Sequence, residues 1–251
     1  MEKRVKPEIR FKGFTDEWIS DYLGKLGKVI SGVGFPEVEQ GGLKGIPFYK
    51  VSDMNIIENY NEMKLANNYV TDDQISKNRW KAINELPAVI FAKVGAAVML
   101  NRKRMALNPF LLDNNMMCYI PNEKWNRFFL KAAFDRINLP LLARTGALPS
   151  YNASDVLDVK ISLPCLKEQE KIGEFLTKID EYIATFDRKK GELSKLKAAF
   201  LEKMFPSDDE DSPKLRFKGF TNAWIHKNLS SILSISTIKN KSHNFSREDV
   251  I

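Results

Sequence analysis

The pattern of apolar and polar positions changes once along the chain, at Pro164. Before it, apolar residues come in short runs: IPFYKVS (46–52), LPAVIFA (86–92), AAVML (96–100) and MMCYIP (116–121). Runs of this length, bounded by turn residues, predict short strands. Gly95 lies between two of them and predicts a hairpin or bulge. Thr71-Asp72-Asp73 predicts a capped helix over 71–84, and the spacing of Trp125, Phe128, Phe129, Ala132 and Ile137 predicts a helix over 122–145. The opening segment, 8–30, places Phe11, Phe14, Trp18, Tyr22 and Leu23 for packing, and a Gly-rich loop follows over 31–45. Residues 1–163 read as one mixed α+β domain.

After Pro164 the period lengthens. From Lys167 to Met204 there is no proline, and apolar residues fall at Ile172, Leu176, Ile179, Ile183, Phe186, Leu193, Phe200 and Met204. Steps of four and three make a heptad seam, with Lys190 and Lys197 filling two of its positions. At 1.5 Å per residue such a helix is about 57 Å long. Its stripe needs a partner helix, so these eight residues are the expected pairing interface.

A repeat adds a boundary. PEIRFKGFTDEWI (7–19) returns as PKLRFKGFTNAWI (213–225), with nine of thirteen positions identical at an offset of 206. The expected organisation is a domain over 1–163, a coiled-coil spacer helix over 164–206, an acidic linker over 207–213, and over 214–251 the truncated start of a second copy.

Charge and composition narrow the chemistry. The net charge is +7. Residues 1–166 carry a basic surplus of five, while 77–104 alone carries a surplus of six. A local cationic cluster on a nearly neutral body suits contact with a phosphate backbone. Lysine and arginine supply affinity there, whereas reading sequence needs amide, hydroxyl and guanidinium groups facing base edges. The candidate DNA contacts are Lys44, Lys50, Ser52, Asp53, Asn55, Lys77, Arg79, Lys81, Lys93, Asn101, Arg102, Lys103 and Arg104.

The two histidines, His226 and His243, both fall in the second copy. The first copy therefore offers neither a histidine-dependent nucleophile nor a His-containing zinc site. Cys118 and Cys165 are isolated, without metal spacing, and suit a reducing cytoplasm. Asn108-Pro109-Phe110 resembles the Asn-Pro-Pro-aromatic motif of amino-methyltransferases but lacks one proline and has no glycine-rich cofactor turn nearby. No phosphate-loop frame is present. No catalytic residue and no metal ligand is expected. The longest apolar stretch, Pro87 to Leu100, is broken by Lys93 and is too short to span a bilayer, and the charged opening residues have no secretory h-region.

Several stretches together resemble the specificity subunit of type I restriction-modification systems. They are RFKGFTDEW (10–18), IPFYKVSDMN (46–55), IFAKVGAAVMLNRKR (90–104), FLLDNNMM (110–117), LPSYNASDVLDVKISLPCLKEQEKIGEFLTKID (148–180) and LKAAFLEKMFP (196–206). The resemblance implies target-recognition domains that each read half of a split double-stranded DNA site. It also implies spacer helices that lie antiparallel and dock methyltransferase subunits. S-adenosylmethionine, ATP and Mg would then be bound by partner methyltransferase and restriction subunits, with no cofactor on this chain. With one recognition domain and one spacer helix, the expected partner for the helix is a second copy of the chain in an antiparallel homodimer. A methyltransferase-fused reader and a coiled-coil adaptor are the alternative functions.

Overall fold

The structure, a computed structural model, describes residues 4–144 and 148–234. The chain divides into two compact units, Met1–Phe186 and Asp187–Ile251.

In the first unit the elements run β1 (Arg4–Val5), β2 (Trp18–Tyr22), α1 (Leu23–Leu26), β3 (Gly27–Ser31), β4 (Ile46–Tyr49), β5 (Tyr69–Val70), α2 (Asp72–Lys77), β6 (Ala88–Ala92), β7 (Lys103–Ala106), β8 (Leu111–Leu112), β9 (Met116–Pro121), α3 (Arg127–Asp135), α4 (Ala153–Leu157) and β10 (Lys160–Leu163). Helix α5 (Leu166–Met204) follows. The strands form three small sheets, ordered β1-β2-β10, β3-β9-β6-β7 and β5-β4-β8. All pairings are antiparallel except β4 with β8. The class is mixed α+β with a long helix.

The four-stranded sheet is covered on both faces. Successive side chains of a strand point to opposite sides, so Val89 and Phe91 of β6 and Met117 and Tyr119 of β9 enter one core, with Leu130 and Phe134 of α3. Ala88, Ile90, Met116, Cys118 and Ile120 enter the other, with Met63 and Phe110. That is why the sequence shows unbroken apolar runs there instead of alternation. A third, aromatic cluster forms around β4: Phe35 stacks on Phe48 at 3.7 Å, and Trp80 meets both rings edge-on.

Three local expectations change. AAVML is a 3-10 turn, Ala96–Leu100, not a strand. It opens on Gly95 at φ 86° and closes on Asn101 at φ 51°, and these left-handed ends wrap the chain between paired strands β6 and β7. The helix expected over 122–145 is α3 alone. It starts where the Asn126 side chain accepts from the amides of Phe128 and Phe129, and it ends before the Pro140-containing turn Leu139–Leu142. The helix expected over 71–84 is α2, with Thr71 as its cap.

The start of α5 is bolted to the domain. Arg10 forms a two-pronged ion pair with Glu168, at 2.8 and 2.6 Å. Gln169 accepts from the Asn126 amide and donates to the carbonyls of Lys124 and Pro164. Gly173 lies directly against the first turn of α3. Beyond Gly173 no described residue of α5 is buried.

In the second unit, Trp224 meets Phe205 edge-on at 5.6 Å, and its amide donates to the Asp211 carbonyl. The repeated segment keeps one local feature of its first occurrence. Gly13 and Gly219 sit at φ 99° and 98°, in turns where Phe14 and Phe220 donate to the carbonyls of Phe11 and Phe217. The expected second copy is described as far as residue 234, with a 3-10 turn at Leu229–Ser231, and residues 235–251, including His243, lie outside the described residues.

Candidate nucleic-acid interface

The thirteen expected DNA contacts separate into three groups. Lys44, Ser52, Asn55, Arg79 and Lys81 are exposed, and Lys50, Lys93, Asn101 and Arg102 are half-buried. Lys77 is exposed but ion-paired to Glu39 at 2.9 Å. That lysine, then Gln74 and Asn78, hold the Glu39 carboxyl down at about 2. Asp53, Lys103 and Arg104 are inside the fold, and for these three the expectation of surface contact is corrected.

Each interior polar group has a structural task. Asp53 is wholly buried. Its carboxylate accepts from the Lys50 amide at 2.8 Å and from the Asn67 amide at 3.1 Å, and also from the Asn67 side chain. Asn59, also wholly buried, donates to the carbonyls of Asp53 and Leu65 and accepts from the amides of Lys64 and Leu65. The loop 50–67 is thus held from beneath by side chains, because it has few ladder bonds of its own. It is also fastened to β7: the Met63 amide donates to the Met105 carbonyl, and the Met105 amide to that of Asn61.

The neighbouring turn is held similarly. Asn101 accepts from the Leu139 amide at 3.0 Å and from Lys103 Nζ at 2.8 Å, and Lys103 also donates to the Ile137 carbonyl. Burial drives the Lys103 amine down to about 8, partly opposed by Asp135 and reinforced by Lys131. A neutral amine still has two N–H groups, so both bonds survive deprotonation. The unfolded chain releases this proton only near 10.4. Between those values the unfolded state holds the extra proton, so this group makes stability rise with pH, by about 3 kcal/mol in all. Burial holds the Cys118 thiol and the Tyr49, Tyr119 and Tyr151 phenols protonated, and these groups lower stability over the same interval. Urea unfolding at pH 7.5 and 10 should therefore show a pH response more favourable in the wild type than in Lys103→Met by about 2 kcal/mol. Equal pH responses would refute it.

Arg104 completes the pattern. It packs over the Tyr60 ring at 5.4 Å, its Nε has no partner among the described residues, and its acidity is strengthened first by burial and next by Arg102. Arg102 donates to Asn55 Oδ1, which links the two loops at the surface.

Of the eight expected pairing residues, Leu176, Ile179, Ile183, Phe186, Leu193 and Phe200 are exposed, and Met204 is half-buried. Ile172 is corrected: it packs against the core of its own domain. Sequence reasoning missed Arg10, Glu168, Gln169 and Gly173 as the clamp on α5. The only available signal was the dense LKEQEKI stretch itself, whose partners are far away in sequence. Among the described residues, no helix is long and apolar enough to cross a membrane, and no cluster could hold a metal ion.

A mixed α+β domain that presents two braced polar loops, and ends in a long helix with an uncovered apolar stripe, has the form of a recognition module on a spacer. Residues 18–197 match the model of the type I restriction modification DNA specificity domain, so the chain belongs to that family. Its fold is shared with a chain from a structure of a type I R-M system concerned with complex assembly and conformational transition. That match has a TM-score of 0.56 and 19% identity over 80% of this chain and 48% of the other. The S subunit of a type I restriction-modification system from M. genitalium matches with a TM-score of 0.55 and 14% identity, over 82% and 50%. The chain spans about half the length of these proteins.

Proposed function

We propose that this chain is the DNA-reading part of a type I restriction-modification complex, recognising one half of a bipartite duplex site and docking methyltransferase subunits. The observation that carries this is a set of uncompensated cations, Arg79, Lys81 and Arg102. Among the described residues none of them has an ion-pair partner. S-adenosylmethionine, ATP and Mg belong to the methyltransferase and restriction subunits, which perform the chemistry.

The helix α5 supplies the second half of the reading: it pairs with α5 of another copy, antiparallel. Charge supports the orientation. Residues 167–183 hold five acidic and three basic side chains, whereas 188–204 hold two acidic and six basic. Antiparallel pairing sets unlike halves together, and parallel pairing sets like against like. A homodimer of this kind is closed and two-fold, and would read a symmetric interrupted site.

One experiment addresses both parts. The chain with its methyltransferase subunits is titrated against duplex DNA at 50 and 200 mM salt, and its mass is measured at micromolar concentration. About four phosphate contacts predict a loss of roughly 100-fold in affinity across that interval. Binding that is absent or indifferent to salt refutes the reader. A monomeric isolated chain refutes the self-pairing and leaves the reader standing.

A further inference from the structure

We infer that Arg102, oriented by Asn55, is the base-reading element of this domain, while Arg79 and Lys81 only grip the phosphate backbone. The inference rests on the DNA-reading function proposed above and assigns its specificity to one pair of side chains.

The seven basic residues of 77–104 are not equivalent once folded. Lys77 is neutralised by Glu39, and Lys103 is enclosed by two oxygen acceptors. Arg79 and Lys81 are exposed and no hydrogen bond to their side chains holds them in place among the described residues. Mobile exposed cations suit phosphate, which asks for charge and little geometry. Arg102 differs. One N–H of its guanidinium is tied to Asn55 Oδ1, and among the described residues no carboxylate is within ion-pair distance. The tie fixes the plane of the fork and leaves other donors unused, which lowers the entropy cost of meeting a planar acceptor edge.

Both ends of the tie rest on rigid supports. Asn55 closes the 3-10 turn Val51–Asn55, which Asp53 anchors from inside, and Arg102 follows Asn101, whose side chain is bonded to Leu139 and Lys103. A site that must discriminate bases needs this bracing, because an error of about an ångström forfeits a bidentate bond. Electrostatics point the same way. Arg102 disfavours the charge of the interior Arg104, and the Arg104 Nε is buried without an acceptor among the described residues. Two adjacent cations, with Asp135 as a distant counter-charge to Arg104 and no ion-pair partner for either among the described residues, are costly in isolation. An acceptor-rich base edge relieves that cost, and the best match to a guanidinium fork is the O6 and N7 pair of guanine in the major groove. Asn55, exposed, keeps its amide hydrogens for the adjoining base.

The test is selection from a random duplex library by the chain in complex with its methyltransferase subunits. Wild type, Arg102→Lys, Asn55→Ala and the double variant Arg79→Glu/Lys81→Glu are compared at one salt concentration. Wild type should enrich a defined motif containing a guanine. Arg102→Lys keeps the charge and loses the fork, so it should abolish preference at that guanine by 10-fold or more, with binding to unrelated duplex within about 2-fold. Asn55→Ala should weaken preference at the same or the adjoining position. The double variant should bind all sequences about 10-fold or more weakly with its motif intact. An unchanged motif in Arg102→Lys overturns the inference, and so does uniform weakening without loss of preference. If wild type enriches nothing, the DNA-reading function itself fails, a result separate from either of these. Thermal melts within a degree or two of wild type confirm that each variant is folded.

Discussion

Gly173→Ala is expected to destabilise the first unit by about 3 kcal/mol, at the upper end for adding a methyl group to a packed contact. A Cβ at this position would lie 2.4 Å from the Phe129 backbone nitrogen and 2.6 Å from the Phe128 carbonyl carbon. Both atoms are main chain within the first turn of α3, so no side-chain rotation relieves the clash. Either α5 moves away from α3 or the Asn126 cap breaks, and the first also strains the Gln169 bonds and the Arg10–Glu168 pair. The control is on the same helix. A Cβ at Gly191 meets nothing within 4 Å, so Gly191→Ala should stabilise by about 1 kcal/mol through helix propensity alone. Urea unfolding followed by tryptophan fluorescence reads Gly173→Ala, since Trp18 and Trp125 each contact Phe129, and far-ultraviolet circular dichroism reads Gly191→Ala, which lies on the helix in the second unit. If Gly173→Ala unfolds within 0.5 kcal/mol of wild type, the close packing of α5 on α3 is wrong.

Asp53→Ala should cost about as much, roughly 3 kcal/mol, for a different reason. It removes the acceptor for the amides of Lys50 and Asn67 and for the Asn67 side chain. Donors left unpaired in a poorly hydrated site each cost about 1–3 kcal/mol, eased here because Asn67 is exposed and water can reach it. Asp53→Asn keeps one acceptor oxygen and turns N–H groups toward donors, so its loss should be intermediate. Hydrogen exchange separates this from general weakening. The Lys50 and Asn67 amides should exchange faster than those of β9, which pairs on both sides in the four-stranded sheet. Uniform acceleration would mean that Asp53 braces the whole domain and not the loop. Because the loop carries Asn55, the variant should also lose sequence preference before it loses affinity for duplex.

Some of this was legible without coordinates because the information is local. The helix expected from Lys167 to Met204 is found at Leu166–Met204. Over such a length the apolar period cannot be mistaken, and no proline interrupts it. The runs around Val89 and Cys118 became strands because β-branched and aromatic residues were bounded by turn formers. Thr71 was recognisable as a cap from the two acidic residues after it. AAVML went the other way. A five-residue apolar run fits a strand or a helical turn equally well, and the decision came from left-handed backbone at both its ends.

What the sequence by itself determined is periodic or repeated: the mixed α+β class, the switch at Pro164 to a long amphipathic helix with its stripe, the recurrence of RFKGFT, and the concentration of positive charge in 77–104. What only the tertiary structure decided is which charges face outward. Asp53, Lys103 and Arg104 read as surface residues because ionisable groups are seldom enclosed. They are enclosed here because Asn67, the Ile137 carbonyl and the Tyr60 ring receive them. Arg10 and Glu168 clamp the helix across a separation of 158 residues. Partners that distant leave no trace in local pattern, since the chain has to fold before a side chain's neighbours, and with them its task, are defined.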